Sequence, residues 1–136
     1  MNRIKKLMSS METLGLDGML IISKANITYL TGFTGDASRL IISGNGCVFL
    51  TDGRYTEQAK SEIHEEITIF KWINDNRYGA ETYQKFIDEF RIKKLGFESD
   101  VMTHAVHQKF ENQVNVTMVA TSGLVEHQRG STTESH

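Results

Sequence analysis

The polar cluster best suited to chemistry is Asp52-Gly-Arg54-Tyr55, where an acid and a guanidinium lie two residues apart beside an aromatic ring. A guanidinium is a planar fork of donors that can hold a carboxylate through two hydrogen bonds. Arg54 could therefore face a carboxylate on a peptide substrate or across an interface. In the structural interpretation, Asp52 caps a helix, Arg54 is its ion-pair partner and Tyr55 packs its ring. We favour the structural interpretation over direct substrate contact.

A second candidate is the pair His104 and His107, whose i, i+3 spacing puts both imidazoles on one face of a helix. Catalytic zinc needs three protein ligands and a water, and no third ligand is evident at a nearby motif position. We interpret both as surface histidines and assign no metal ligand to this segment.

Two further features resemble parts of chemical motifs but lack the other residues that those motifs need. The turn Gly32-Phe33-Thr34-Gly35 precedes a strand and lacks the Lys-Ser/Thr pair of a phosphate-binding loop. Its glycines are predicted to supply backbone freedom. Cys47 lies inside a predicted strand with neither His nor Asp adjacent, which is typical of a small core residue.

The elements that must position these residues follow from hydrophobic periodicity. Gly44-Asn45-Gly46 predicts a hairpin, and Asp52 is placed to cap the helix that follows. Apolar spacing predicts helices at about 4–14, 54–63, 83–90 and 103–111, a short helical turn within 23–29, and strands at 19–22, 40–42, 48–50, 67–70, 95–97 and 114–120. Interleaved helices and strands favour an α/β fold, a three-layer αβα domain with a mixed sheet of about five or six strands.

Composition narrows the class of protein. The 136 residues fit one domain, and 39% hydrophobic with 24% charged residues is typical of a soluble globular protein. A net charge of -2 argues against a nucleic-acid partner, and neither a signal peptide nor a membrane span is evident. One cysteine suits a reducing compartment, so we expect a cytoplasmic protein. We predict a domain over 1–129 and a disordered tail or fusion remnant over 130–136.

Two motifs, in this order and spacing, carry a resemblance to a known family. They are Tyr29-Leu-Thr-Gly-Phe-Thr-Gly35 and Thr51-Asp-Gly-Arg-Tyr55, supported by Leu95-Gly-Phe-Glu98 and Leu124-Val-Glu126. Over about residues 2–129 the chain resembles the N-terminal domain of the creatinase, prolidase and Xaa-Pro aminopeptidase family, the pita-bread metallopeptidases.

The resemblance implies a non-catalytic domain that shapes oligomer contacts and substrate access. The bond before proline would be hydrolysed by a C-terminal catalytic domain carrying two divalent metals, often manganese; no cofactor is expected in this segment. The chain would be part of a cytoplasmic homo-oligomer without nucleic-acid or membrane partners. Candidate residues at the substrate mouth or interface are Tyr29, Phe33, Asp52, Arg54 and Tyr55, with no catalytic or metal residue.

Three alternatives stay open at this point. The chain could be a free-standing interaction module derived from such a peptidase. It could be the N-terminal domain of a creatinase-like amidinohydrolase, which shares the architecture but acts on a non-peptide substrate. It could also bind a small molecule near Gly32 and Gly35.

Overall fold

A computed structural model describes the backbone of residues 2–76 and 80–134 and the side chains of residues 2–76 and 80–130. A six-stranded sheet lies between two layers of helices. The strands are β1 Gly18–Ile21, β2 Arg39–Ser43, β3 Gly46–Thr51, β4 Thr68–Lys71, β5 Lys94–Glu98 and β6 Thr117–Thr121. The helices are α1 Arg3–Thr13, α2 Lys24–Thr31, α3 Thr56–Glu62, α4 Ala80–Glu89, α5 His104–Gln113 and α6 Leu124–Glu134, and a 3-10 turn spans Ile73–Asp75. The predicted three-layer α/β fold with a mixed sheet is confirmed.

The sheet has the strand order β4-β3-β2-β1-β5-β6. Strand β2 is antiparallel to both of its neighbours, whereas the β3–β4, β1–β5 and β5–β6 pairs are parallel. Five strands therefore run in one direction and finish at the same end of the sheet. We call this the carboxyl end; it is marked by Ile21, Thr51, Lys71, Glu98 and Thr121.

The alternation of side chains along the strands divides the interior into two cores. In β1, Met19 and Ile21 face the core beneath α1, α2, α3 and α6, while Leu20 faces the core beneath α4 and α5. All four β1 residues are buried, as expected for a strand covered on both faces. The predicted hairpin is also confirmed, with Ser43 paired to Gly46 across the turn between β2 and β3.

One predicted boundary and one predicted helix cap need correction near the first helix after the hairpin. Helix α3 begins at Thr56, not near residue 54, and no side chain caps it. The Asp52 carboxylate instead accepts a hydrogen bond from the Arg54 backbone N–H at 3.0 Å. Asp52 thus closes a turn that precedes the helix, and the expected helix cap at Asp52 is wrong.

The end of the chain also differs from the prediction. Residues 124–134 form helix α6, which periodicity did not reveal. The expectation of a disordered tail is corrected for residues 130–134, whose backbone continues this helix, while residues 135 and 136 lie outside the described residues. Within the described ranges, every helix is too short or too polar to cross a membrane.

Candidate functional site

The Asp52–Arg54 pair lies directly after β3, at the carboxyl end of the sheet. Arg54 Nε donates to Asp52 Oδ1 at 3.2 Å and Arg54 Nη2 donates to Asp52 Oδ2 at 3.0 Å. The Arg54 side chain is 72% exposed. The hydrogen bond that Arg54 donates to Asp52 raises the pKa of Arg54, so the guanidinium stays charged at any physiological pH. The predicted ion pair is confirmed, and it presents a fixed, exposed cation to solvent.

Two aromatic side chains support this pair from the protein interior. The Arg54 guanidinium carbon lies 5.2 Å from the centre of the Tyr55 ring. Tyr55 meets Phe33 edge to face at 5.8 Å, and Phe33 meets Phe49 at 4.7 Å. Phe33 has no solvent-exposed surface, so it cannot line a substrate mouth directly. Its role is to hold Tyr55, and with it the Arg54 element, against the core.

The glycine turn that carries Phe33 is shaped by two different constraints. Gly32 ends α2 with a φ of 87°, which side-chain-bearing residues rarely adopt. Gly35 has no positive φ; a Cβ there would lie 2.6 Å from the Phe33 ring. Backbone freedom therefore explains Gly32, whereas Gly35 is required by the close approach of Phe33. The predicted explanation needs correction for Gly35.

Glu62, at the end of α3, fixes the same turn from outside. It accepts hydrogen bonds from the Thr34 backbone N–H at 2.8 Å, from the Thr34 hydroxyl and from the Gln58 amide. The backbone bond from Thr34 is the main reason that the pKa of Glu62 is lowered from 4.5. The turn is thus locked by a carboxylate that must stay ionised.

We predict that Glu62→Gln reduces the acid sensitivity of the fold. Because the folded-state pKa lies below the unfolded one, the carboxylate stabilises the fold above pH 4.5. This contribution disappears as the pH falls through the folded-state pKa. Between about pH 5 and pH 3, the melting temperature of Glu62→Gln should therefore fall less than that of the parent chain. Glu12→Gln, an exposed carboxylate on α1, is the matched control; equal acid curves for Glu62→Gln and the parent would contradict the assignment.

Tyr29, the fifth candidate residue, lies apart from the Arg54 group. Its ring is covered by the Arg3 guanidinium at 4.2 Å, and its carbonyl accepts from Arg3 Nη1 at 2.7 Å. Its hydroxyl accepts from Gln128 Nε2 at 3.3 Å. Tyr29 therefore connects α2 to α1 and α6, and four of the five candidates, not all five, form one group.

Sequence reasoning missed a buried polar cluster between β1 and β5. Glu98 Oε1 accepts from the backbone N–H groups of Ile22 at 2.6 Å and Ser23 at 2.9 Å. Its Oε2 accepts from Asn26 Nδ2 at 2.5 Å. Glu98 and Asn26 are 6% and 0% exposed. The connections from β1 and β5 lead in opposite directions along the sheet, so the cluster sits at the topological switch point, the usual place for a ligand in such sheets.

Helix α6 is attached to this cluster. Asn26 Nδ2 also donates to Glu126 Oε2 at 3.1 Å, and Arg129 Nη1 donates to Asn26 Oδ1. Val125 is buried in the first core. The signal that could have indicated the cluster is a carboxylate that ends an apolar strand, Leu95-Gly-Phe-Glu98. The switch point is thus filled by side chains that hold the last helix.

The histidine and cysteine side chains considered above, His107 and Cys47, are packed against other residues of the domain. The His107 ring stacks on Phe97 at 4.4 Å, and its Nε2 lies 3.4 Å from Glu111. Burial raises the pKa of the Cys47 thiol, which lowers its nucleophilicity at neutral pH. Among the residues that the structure describes, no three His, Cys, Asp or Glu side chains converge as a metal would require. These residues therefore do not fit a two-metal centre.

Comparison with known proteins connects this geometry to a family. The profile of the Creatinase/Prolidase N-terminal domain matches residues 3–130. The chain is 40% identical over 108 residues to the uncharacterized peptidase YqhT of Bacillus subtilis, an alignment that covers 79% of the chain and 30% of the relative. It spans less than a third of the length of the curated relatives that it matches.

Solved structures give the same result. The Xaa-Pro dipeptidase from Bacillus anthracis superposes with a TM-score of 0.82 at 32% identity, covering 93% of this chain and 35% of that one. The N-terminal domain of the cytoplasmic peptidase PepQ from Mycobacterium tuberculosis superposes with a TM-score of 0.76 at 33% identity, covering 92% of this chain and 96% of that one. The resemblance inferred from the sequence motifs is confirmed: the chain belongs to the creatinase/prolidase N-terminal domain family.

Proposed function

We propose that this chain is the non-catalytic N-terminal domain of a Xaa-Pro aminopeptidase or prolidase. The observation that carries the proposal is the family match over residues 3–130 to a domain defined as N-terminal, in relatives of which the chain covers only 30% and 35%. The relatives bear peptidase names, which favours a peptidase parent over a creatinase-like amidinohydrolase. The name of the Mycobacterium tuberculosis relative supports a cytoplasmic location.

In this proposal the reaction is carried by a C-terminal domain of the parent protein. That domain would supply two divalent metals, manganese being the expected choice, to hydrolyse the bond before proline. The role proposed for the present domain is assembly and control of access. A homo-oligomer is the expected state of the parent, with the N-terminal domains contributing contacts between subunits.

The surface best suited to that role is the Arg54 element at the carboxyl end of the sheet. Its cation is exposed yet held in one orientation by Asp52, which limits the entropy lost when it binds a partner carboxylate. A peptide substrate carries a carboxylate at its end, and an adjoining subunit can offer Asp or Glu. Either partner would accept hydrogen bonds from the guanidinium N–H groups that Asp52 leaves unused.

The proposal is tested by assaying the purified chain on Xaa-Pro dipeptides and tripeptides with added Mn²⁺. No turnover is expected from this chain. The parent protein, which would include the C-terminal catalytic domain, should hydrolyse the same peptides. Metal-dependent turnover by the isolated chain would overturn the proposal that catalysis belongs to the C-terminal domain. A parent sequence that encodes no further domain would favour a free-standing interaction module.

We predict that Arg54→Ala in the parent protein alters substrate handling and leaves the fold intact. Since Arg54 is exposed, the melting temperature should stay within about 1 °C of the parent value. If Arg54 contacts the substrate, the KM for short peptides should rise severalfold with kcat little changed. If it contacts a neighbouring subunit, the oligomer should dissociate at a higher protein concentration than the parent oligomer does. Lys60→Ala, an exposed cation on α3, is the control. Unchanged KM and unchanged oligomeric state would confine Arg54 to a structural role.

A further inference from the structure

A cavity that the Arg54 group does not use lies on the opposite face of the sheet. Its volume is about 160 Å³, and it opens between α4 and α5 above the end of β1. Its apolar wall is formed by Leu20, Ile22, Tyr83, Met102, Val106 and Phe110. Ile22, directly after β1, is half-buried at this point.

The charged groups at the cavity are both cationic. Arg39, the first residue of β2, and Lys109, on α5, line it together with the Gln113 amide. Arg39 Nη1 donates to the Ser38 carbonyl at 3.0 Å. Within the described residues, neither cation forms an ion pair with a carboxylate. An apolar wall beside two such cations is complementary to a ligand with an apolar body and one negative charge.

The volume restricts the size of that body. An engineered apolar cavity of about 150 Å³ holds one benzene molecule. A space of about 160 Å³ therefore accepts a compact group of roughly six carbons. Larger cofactors need pockets of about 300 Å³ or more, so the cavity is too small to enclose a nucleotide or a flavin.

We propose that this cavity binds a monocarboxylate with a compact apolar body, the body inserted between α4 and α5 and the carboxylate held by Arg39 and Lys109. Such a group occurs in a free aryl or short aliphatic acid and in the apolar C-terminal residue of a peptide. The site is distinct from the Asp52–Arg54 surface, and the inference does not depend on the proposed peptidase role.

The test is a titration of the ¹⁵N-labelled chain, followed by amide chemical shifts. Phenylacetate and its neutral isostere phenylacetamide form the first pair of probes. Saturable shifts at Ile22, Val106 and Phe110, with phenylacetate binding at least about threefold more tightly than the amide, are expected. Equal binding of acid and amide, shifts located elsewhere, or no saturation would overturn the proposal.

A second pair, Gly-Gly-Phe and its C-terminal amide, separates the two sources of the carboxylate. Tighter binding of the tripeptide than of phenylacetate identifies a peptide end as the ligand, and tighter binding of phenylacetate identifies a free acid. In both cases the corresponding amide must bind more weakly than its acid.

Substitutions distinguish this site from nonspecific attraction. Arg39→Gln and Lys109→Gln should each weaken phenylacetate binding by about threefold to fivefold, whereas phenylacetamide binding should not change. Lys93→Gln removes the same charge at the opposite end of the sheet and should have no effect. Val106→Trp should fill the cavity and abolish the saturable shifts of both probes. If Lys93→Gln weakens binding as much as Lys109→Gln, the attraction is only that of net charge and the site is refuted.

Discussion

Replacing Phe33 by alanine is expected to lower the free energy of unfolding by about 3–5 kcal/mol, the usual cost of removing a buried aromatic ring. Phe33 is fully buried and meets Phe49 and Tyr55 edge to face, so truncation leaves a cavity and removes both ring contacts. The turn cannot readily collapse into this space because Gly32 and Glu62 fix its two sides. Chemical denaturation of the purified chain measures the loss.

Phe33→Leu provides the comparison that isolates the cavity. Leucine fills much of the space but forms no edge-to-face pair, so the expected loss is about 1–2 kcal/mol. A loss below about 1 kcal/mol for Phe33→Ala would mean that the turn is not anchored by this ring. The Tyr55 environment, followed by its fluorescence or its ring resonances, should change in Phe33→Ala and much less in Phe33→Leu.

Replacing Glu98 by alanine is expected to cost about 3 kcal/mol or more, because the donors that it satisfies lose their acceptor in a buried place. The N–H groups of Ile22 and Ser23 and one Asn26 amide contact depend on this carboxylate. The loss should be accompanied by faster amide hydrogen exchange in α6, since Asn26 carries the contacts from Glu98 to Glu126 and Arg129.

Glu98→Gln is the matched variant for this prediction. Its amide oxygen can still accept from Ile22 and Ser23, but its amide nitrogen meets the Asn26 Nδ2 donor. Rotating the Asn26 amide would relieve that conflict only by breaking its bond from Arg129. Glutamine should therefore cost less than alanine while still accelerating exchange in α6. Equal losses for both variants, or unchanged exchange in α6, would refute the role given to Glu98.

The sequence predicted those elements that are specified by neighbouring residues, such as tight turns and runs of apolar residues. The hairpin at Gly44-Asn45-Gly46 and the apolar run of β1 could be predicted because turn chemistry and continuous hydrophobicity leave few alternatives. Helix α6 could not, because Gly130 and the polar residues around it are weak helix formers. Its stability depends on Val125 and on contacts to Asn26, which lies about a hundred residues earlier.

In the candidate site, too, contacts between residues close in sequence could be predicted, and contacts that depend on the folded structure could not. Asp52 and Arg54 are close in sequence, so their ion pair could be predicted, but an Asp two residues before an N–H is equally suited to a turn and to a helix cap. Which of these forms depends on where α3 starts, and in the structure it starts at Thr56, directly after Tyr55. Tyr29 was named beside Arg54 because both belong to the motifs that carry the family resemblance, whereas its direction on α2 turns it toward Arg3 and Gln128.

The bond from Gln128 to the Arg3 carbonyl joins two residues near opposite ends of this domain. The central strand β1 likewise finds one of its two neighbours, β5, only after some seventy further residues. A nascent chain leaving the ribosome therefore holds one side of β1 unpaired until β5 has emerged. Folding of this domain is consequently completed only when its last strands and helix are available, because these long-range contacts cannot form earlier.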